Sequence, residues 1–128
     1  MSHYRWLPPV LACLALSGCA SLGEDLAGAF SSKGERELGF GIKAYEDGEY
    51  PYAARLLQAS LDAGLRGRSK RARAKKFLAF IHCASSRTQQ CREEFRKALD
   101  ADPSFELRED EAGHPVWGPV FRGVKSRK

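Results

Sequence analysis

The stretch LGFGIKAYEDGEYPYAARLLQASL (residues 38–61) contains two runs of helical periodicity separated by a turn. In the first run Leu38, Ile42 and Tyr45 are spaced by four and three residues, as one face of an α-helix requires. Gly48 ends this helix, and Pro51 is tolerated in the first turn of the next one. The second run has a stripe of its own, made of Ala53, Ala54, Leu57, Leu61 and Leu65. The stretch therefore predicts a helical hairpin.

A second hairpin is predicted directly after the first. Gly64 and Gly67 mark a break, after which a third helix runs from about Ser69 to Ser85 with an apolar face of Phe77, Leu78, Ile81 and Ala84. A fourth helix runs from Thr88 to Ala101, is ended by Pro103, and buries Cys91, Phe95, Ala98 and Leu99. No segment shows sustained alternation of apolar and polar residues, so no sheet is expected.

The two hairpins resemble tetratricopeptide repeats. The matching positions are Phe40-Gly41, Ala44-Tyr45, Gly48, Tyr50, Ala53, Leu57 and Leu61 in the first unit, and Leu78-Ala79, Cys91, Phe95, Ala98 and Pro103 in the second. Small residues at Gly41, Ala53 and Ala79 let paired helices approach closely. The second unit has Ser86 in place of the mid-repeat glycine, and a generic pair of helical hairpins has the same periodicity. The expected fold class is all-α: about four helices in short tetratricopeptide-repeat-like hairpins, plus a C-terminal capping helix.

The tail after Pro103 mixes acidic residues with large apolar ones. Glu109 to Ala112 is predicted to form one turn of helix ended by Gly113, and Pro115 to start a last helix. Trp117, Val120, Phe121 and Val124 then fall on one face. Two helical repeats are few for a stable solenoid, so we expect this face to cap the open end. An exposed docking patch that includes Trp117 and Phe121 is the alternative. His114 is interpreted as a hydrogen-bonded turn residue.

The first residues have the pattern of a secretory signal peptide. Arg5 precedes a short apolar stretch from Val10 to Leu16, too short to span a membrane. Leu16-Ser17-Gly18-Cys19 then resembles the lipobox of bacterial lipoproteins, which implies a diacylglycerol on the Cys19 thiol. A structural cysteine near a cleavable signal is the alternative. Ala20, by the same resemblance, implies sorting to the outer membrane of a Gram-negative bacterium.

This interpretation divides the chain into three parts. Residues 1–18 are a lipoprotein signal peptide, residues 19–33 a lipidated tether rich in small residues, and residues 34–125 the helical repeat domain with its cap. Removing the signal takes only Arg5 from the charges, so the formal net charge falls from +5 to +4. We expect no further cofactor beyond the acyl lipid.

Cys83 and Cys91 are the two cysteines left after the signal and the lipidated residue. They lie symmetrically about a turn at Ser86 and Arg87, where the partners of an antiparallel hairpin face each other. Their Cα atoms then come within the ~4.4–6.8 Å that a disulfide needs. We expect a bridge. Two buried free thiols, or a metal pair with His82, are the alternatives.

A dense basic run begins just before the third helix. Seven cations lie within eleven residues: Arg66, Arg68, Lys70, Arg71, Arg73, Lys75 and Lys76. In a cytosolic protein such a run indicates nucleic acid, but a secretion signal argues against that partner. The simplest interpretation is a solvated first helical turn. Cations at a helix N-terminus oppose its dipole, so binding of an acidic protein, anionic lipid or peptidoglycan carboxylates is the competing one.

Composition and motifs do not favour an enzyme. The chain has 128 residues, 43% hydrophobic and 29% charged, which is typical of one folded domain. It contains no Gly-x-Ser-x-Gly, phosphate loop or dinucleotide fingerprint. We therefore expect no catalytic residues and no metal.

Several segments in fixed order carry a family resemblance. They are the lipobox, the first hairpin, KFLAFIHC (residues 76–83), Arg87, Cys91, EFRKAL (94–99), DPSF (102–105) and GHPVWGPVF (113–121). Together they resemble the TssQ family of type VI secretion-associated lipoproteins. The resemblance implies an outer-membrane-anchored, periplasm-facing accessory of the secretion system's membrane complex, acting through protein–protein interaction, with no catalytic residues to carry over. A structural lipoprotein of envelope or peptidoglycan maintenance, unrelated to secretion, is the alternative function.

Overall fold

Six helices follow one another along the chain. The computed structural model describes residues 21–128, with the side chains of residues 28, 29 and 32–128. The helices are α1 (Ser21–Glu46), α2 (Tyr50–Asp62), α3 (Arg68–Ala84), α4 (Thr88–Ala101), α5 (Glu109–Ala112) and α6 (Trp117–Lys125). No strand occurs in this part of the chain. The expected all-α fold of helical hairpins is confirmed.

The first helix begins earlier than the sequence pattern predicts. The apolar spacing predicts a start near Gly34, but α1 is already helical at Ser21. Alanine, leucine and glutamate favour helix in residues 21–33, and the two glycines there do not outweigh them. Gly34 is buried and closely packed against α2: a Cβ on this residue would lie 3.0 Å from the Ser60 carbonyl oxygen. The predicted signal peptide, 1–18, and the lipidated Cys19 lie outside the described residues.

The hairpin of α1 and α2 closes through a glycine turn. Gly48 has a φ of 79°, a conformation that side chains disfavour, and the Glu49 amide donates to the Ala44 carbonyl oxygen at 2.9 Å. The two helices then pack closely where Gly41 faces Leu57: a Cβ on Gly41 would lie 2.9 Å from Leu57 Cγ. The prediction that small residues allow close approach holds at this contact.

The hairpin of α3 and α4 closes without a glycine. Ser86 takes the left-handed conformation instead, with a φ of 60°. The Arg87 amide donates to the His82 carbonyl oxygen at 2.9 Å, which holds the turn. The bounds of α3 and α4 agree with the predicted ones to within a residue, but Ala84, predicted on the apolar face, is exposed beside the turn.

A chain of aromatic rings joins the two hairpins to the C-terminal segment. Its members are Tyr45, Phe77, Phe80, Phe95, Phe105, Trp117 and Phe121, each in ring contact with at least one other. Helix α3 is central, because it packs against α2, α4 and α6. One hydrophobic core therefore runs from α1 to α6. Among residues 21–128, no helix combines the length and apolarity needed to cross a bilayer.

Candidate functional site

The cysteine pair closes the α3–α4 hairpin as a disulfide. The Cα atoms of Cys83 and Cys91 are 5.2 Å apart, and the two residues are eight apart in sequence. Both are buried in the core. The predicted bridge is confirmed, and because each sulfur is bonded to the other, neither is a thiolate ligand.

His82, the third residue of the alternative metal site, is partly buried next to the bridge. Its Nδ1 is buried and has no hydrogen-bond partner among the described residues. Burial lowers the pKa of His82, and the Arg87 guanidinium lowers it further. The imidazole is therefore held in its neutral form near pH 7. Within residues described with side chains, no group of three or more potential ligands is close enough to hold a metal ion.

Two of the seven cations of the basic run are neutralised inside the fold. Lys75 lies 3.3 Å from Glu94 and is 18% exposed. Lys76 lies 2.6 Å from Glu111 and is 9% exposed. Because both lysine side chains are enclosed and paired with a carboxylate, they contribute to the stability of the fold. The candidate partner-binding set therefore loses Lys75 and Lys76 as accessible cations.

The other five cations of the run remain at the surface. Arg66, Arg68, Lys70, Arg71 and Arg73 are all exposed. Lys70 pairs with Glu35 of α1, and Arg71 donates to the Leu65 carbonyl oxygen at 3.2 Å. Arg68 is 71% exposed and lies 3.9 Å from Asp102. Arg66 and Arg73 have no ion pair among the residues described with side chains.

The two aromatic residues of the candidate set belong to the C-terminal cap, meaning residues 103–125 with α5 and α6. Phe121 is buried and meets the Phe95 ring at a centroid distance of 5.2 Å. Trp117 stacks on Phe80 at 4.4 Å and donates its Nε1 hydrogen to the Glu111 carbonyl oxygen at 3.0 Å. The structure thus favours the cap over the exposed docking patch for Trp117 and Phe121.

His114 serves the turn that leads into α6. Its Nδ1 accepts a hydrogen bond from the Val116 amide at 3.1 Å, and its ring lies parallel to Trp117 at 3.3 Å. Gly118 is equally constrained, since a Cβ there would lie 2.4 Å from the Ala112 carbonyl oxygen. These contacts explain why the segment 113–118 needs these residue types, and they agree with the turn interpretation of His114.

A polar cleft of about 270 Å³ lies between α1, α3 and the cap. Tyr45 lines it, and burial raises the pKa of Tyr45 to about 12, with smaller contributions from Tyr50 and Glu111. The phenol is therefore a neutral hydrogen-bond donor at physiological pH. Lys76 and Glu111 also line the cleft, but they bind each other.

Two exposed aromatic residues were not predicted as surface features. Phe40 on α1 is 61% exposed and Tyr52 on α2 is 47% exposed. Phe40 was matched to the repeat pattern, but it lies two residues from both Leu38 and Ile42 and so points away from their face. This spacing is the signal that sequence reasoning passed over.

Comparison with models of protein families, with curated proteins and with solved structures finds no match to this chain. The class that the fold itself defines is a small, disulfide-closed protein of helical hairpins with a C-terminal cap.

Proposed function

We propose that this chain is an exported lipoprotein, anchored in the outer membrane through a diacylglycerol on Cys19 and facing the periplasm. In this proposal it acts as a protein–protein interaction and scaffold accessory of the type VI secretion membrane complex. The observation that carries the export step is the Cys83–Cys91 disulfide. Such bonds persist in oxidising compartments and are rare in the cytosol. The signal pattern before Cys19 agrees with that compartment.

The secretion assignment rests on the segments that resemble the TssQ family. In the fold, these segments contact one another: Cys83 is bonded to Cys91, Lys76 meets Glu111, and Phe80 stacks on Trp117. The resembling residues are therefore those that join α3, α4 and the cap into one unit. A scaffold role also fits the surface, where Phe40, Tyr52 and the five exposed cations of the basic run are accessible to a partner.

The anchoring step is tested by fractionation. The Cys19→Ala variant and the unaltered protein are expressed in a Gram-negative host with a labelled fatty acid, and membranes are separated by density. The unaltered protein is expected in the outer membrane with label, and the variant without label. Cys13→Ala, which changes a cysteine of the predicted signal peptide, is the matched control and keeps the label. A Cys19→Ala protein that still carries the acyl label refutes the proposed anchor.

The partner is tested by recovery of the protein from membranes after mild cross-linking in cells that assemble a type VI apparatus. Co-purification of membrane-complex components supports the proposal. Recovery of peptidoglycan or of envelope-maintenance proteins alone favours the alternative, a structural helical-repeat lipoprotein unrelated to secretion. A gene neighbourhood of sheath and tube genes favours the first, and a neighbourhood of cell-wall genes the second.

A further inference from the structure

The start of α3 lies at the end of the domain that leads towards the predicted lipid. A Cβ on Gly34 of α1 would lie 3.0 Å from the Ser60 carbonyl oxygen and 3.4 Å from Leu65 Cα, both just before the basic run. Lys70 of the run forms an ion pair with Glu35 of α1. Since α1 continues without a break from Gly34 back to Ser21, this is the end from which the chain reaches Cys19.

Exposed cations from two helices are concentrated at this end. Arg66, Arg68 and Arg71 belong to the basic run, and Lys33 and Arg36 of α1 are exposed beside them. Fewer carboxylates accompany them: Glu35 is paired with Lys70, Asp102 is buried, and Glu37 and Asp62 remain. We call these five cations, together with Lys70, the basic end.

The opposite end of the first hairpin has the opposite character. Glu46, Asp47 and Glu49 surround the turn between α1 and α2, and Lys43 neutralises only Asp47, at 2.5 Å. The hairpin is therefore electrically polarised along its length, with its positive pole towards the predicted anchor.

Folding alone does not account for the basic end. Helix α3 begins after Gly67 with no side-chain cap and no acidic residue in its first turn. Cations in that position oppose the helix dipole and repel one another. Inside the fold, Glu35, Asp102 and the Leu65 carbonyl oxygen engage Lys70, Arg68 and Arg71. Lys33, Arg36 and Arg66 have no ion pair among the residues described with side chains, which indicates a negatively charged partner outside the fold.

We propose that the basic end binds the anionic phospholipid headgroups of the membrane in which the protein is anchored, an inference that rests on the proposed lipid at Cys19. A single anchor and a basic patch commonly act together in membrane attachment. The connection through residues 21–34 of α1 confines the basic end to within about 20 Å of that surface, so its effective concentration there is high. A soluble acidic protein has no such advantage.

The length of α1 sets how the domain must lie. The helix from Ser21 to Gly34 rises about 20 Å at 1.5 Å per residue. Charges are screened over about 8 Å at physiological ionic strength. An upright α1 would therefore keep the basic end beyond electrostatic reach, and contact requires α1 to incline along the membrane surface.

The test measures amide hydrogen exchange of the acylated protein in vesicles. One set is phosphatidylcholine alone, and the other contains phosphatidylglycerol as well. The peptide covering residues 62–71 is expected to exchange several-fold more slowly in the anionic vesicles, and this protection is expected to disappear in high salt. The triple variant Arg36→Glu, Arg66→Glu, Arg68→Glu is expected to exchange equally in both vesicles.

A second triple variant serves as the matched control. Arg92→Glu, Arg96→Glu and Arg127→Glu change the net charge equally but lie on α4 and after α6. This control is expected to keep the protection, and circular dichroism verifies that both variants are folded. Equal exchange of the unaltered protein in both vesicles overturns the proposal, as does loss of protection in both variants.

Two further outcomes separate this proposal from others. Protection of residues 62–71 that requires added envelope proteins and not phosphatidylglycerol overturns it in favour of an acidic protein partner. The intact mass reports the acyl group independently. An unacylated chain that anionic vesicles still protect refutes the anchor and preserves the lipid contact, so the two failures are distinguishable.

Discussion

The Lys76 ammonium and the Glu111 carboxylate lie 2.6 Å apart, with side chains 9% and 10% exposed. The pair joins α3 to α5 across 35 residues of sequence. Lys76 also lies over the Phe77 ring at 4.7 Å, and Glu111 accepts a hydrogen bond from the Arg108 amide at 3.1 Å. A charged lysine in the basic run thus belongs to the contact that holds the cap on the hairpins.

Removing one partner of this pair is expected to destabilise the fold strongly. Lys76→Met removes the close cation of the buried Glu111 carboxylate and leaves only the Arg108 guanidinium at 3.8 Å, so the free energy of unfolding should fall by about 3 kcal/mol. The double variant Lys76→Met, Glu111→Gln should recover much of this loss, because no uncompensated charge remains. Urea denaturation of the two variants and of the unaltered protein measures the difference.

The control for this prediction is an exposed ion pair in the same protein. Lys43 and Asp47 are 67% and 46% exposed at the end of α1, and Lys43→Ala is expected to leave the urea midpoint almost unchanged, because exposed ion pairs contribute little. If the Lys76 and Lys43 variants lose equal stability, the buried pair has no special role in holding the cap.

Two glycines of α1 are expected to respond in opposite directions. Gly41→Ala places a Cβ 2.9 Å from Leu57 Cγ and 3.1 Å from the Leu57 backbone nitrogen, so it should destabilise by about 1–3 kcal/mol. Gly39→Ala meets nothing within 4 Å and should stabilise by roughly 0.5–1 kcal/mol, because alanine favours helix. Thermal unfolding followed by circular dichroism gives both values. A stabilising Gly41→Ala contradicts the close approach of α1 and α2.

The cap is expected to contribute stability through its buried face. Phe121→Ala removes a ring that contacts both Phe95 and Phe105 and should lower the free energy of unfolding by about 3–5 kcal/mol. Val116→Ala, at a residue 47% exposed, should stay within about 0.5 kcal/mol. Chemical denaturation compares them. Equal, small losses would mean that α6 packs only loosely on α4.

Local signals in the sequence predicted the α3–α4 hairpin well. Glycine breaks before α3 and Pro103 after α4 mark its outer ends, and the apolar spacing marks its buried faces. The symmetry of Cys83 and Cys91 about the turn was enough to predict their bridge. Each of these signals depends on residues within one or two helical turns of each other. The hairpin can therefore be predicted without knowing which other helices pack against it.

Interactions between distant segments were missed. The charges of the basic run predict that all seven side chains are exposed to solvent. Only the position of Lys76, four residues before Phe80, places this residue on the buried face of α3. Its partner Glu111 lies in an acidic stretch that also looks solvated. Charge neutralisation across 35 residues depends on how the cap folds back, and periodicity within a helix does not contain that information.

The last prediction concerns pH. Burial lowers the pKa of His82 below its usual value near 6.5, with Arg87 adding to the effect. The unfolded chain therefore binds a proton at higher pH than the folded protein does.

Stability from this group is complete above pH 6.5 and is lost as pH falls below it. In His82→Gln the slope of unfolding free energy against pH should flatten below about pH 6.5. The control is Val116→Ala, at an exposed residue that carries no titratable group. Urea denaturation at stepped pH measures all three proteins. A His82→Gln slope as steep as that of the unaltered protein would place the titrating group elsewhere, and an opposite slope would mean that the folded state favours the charged imidazole.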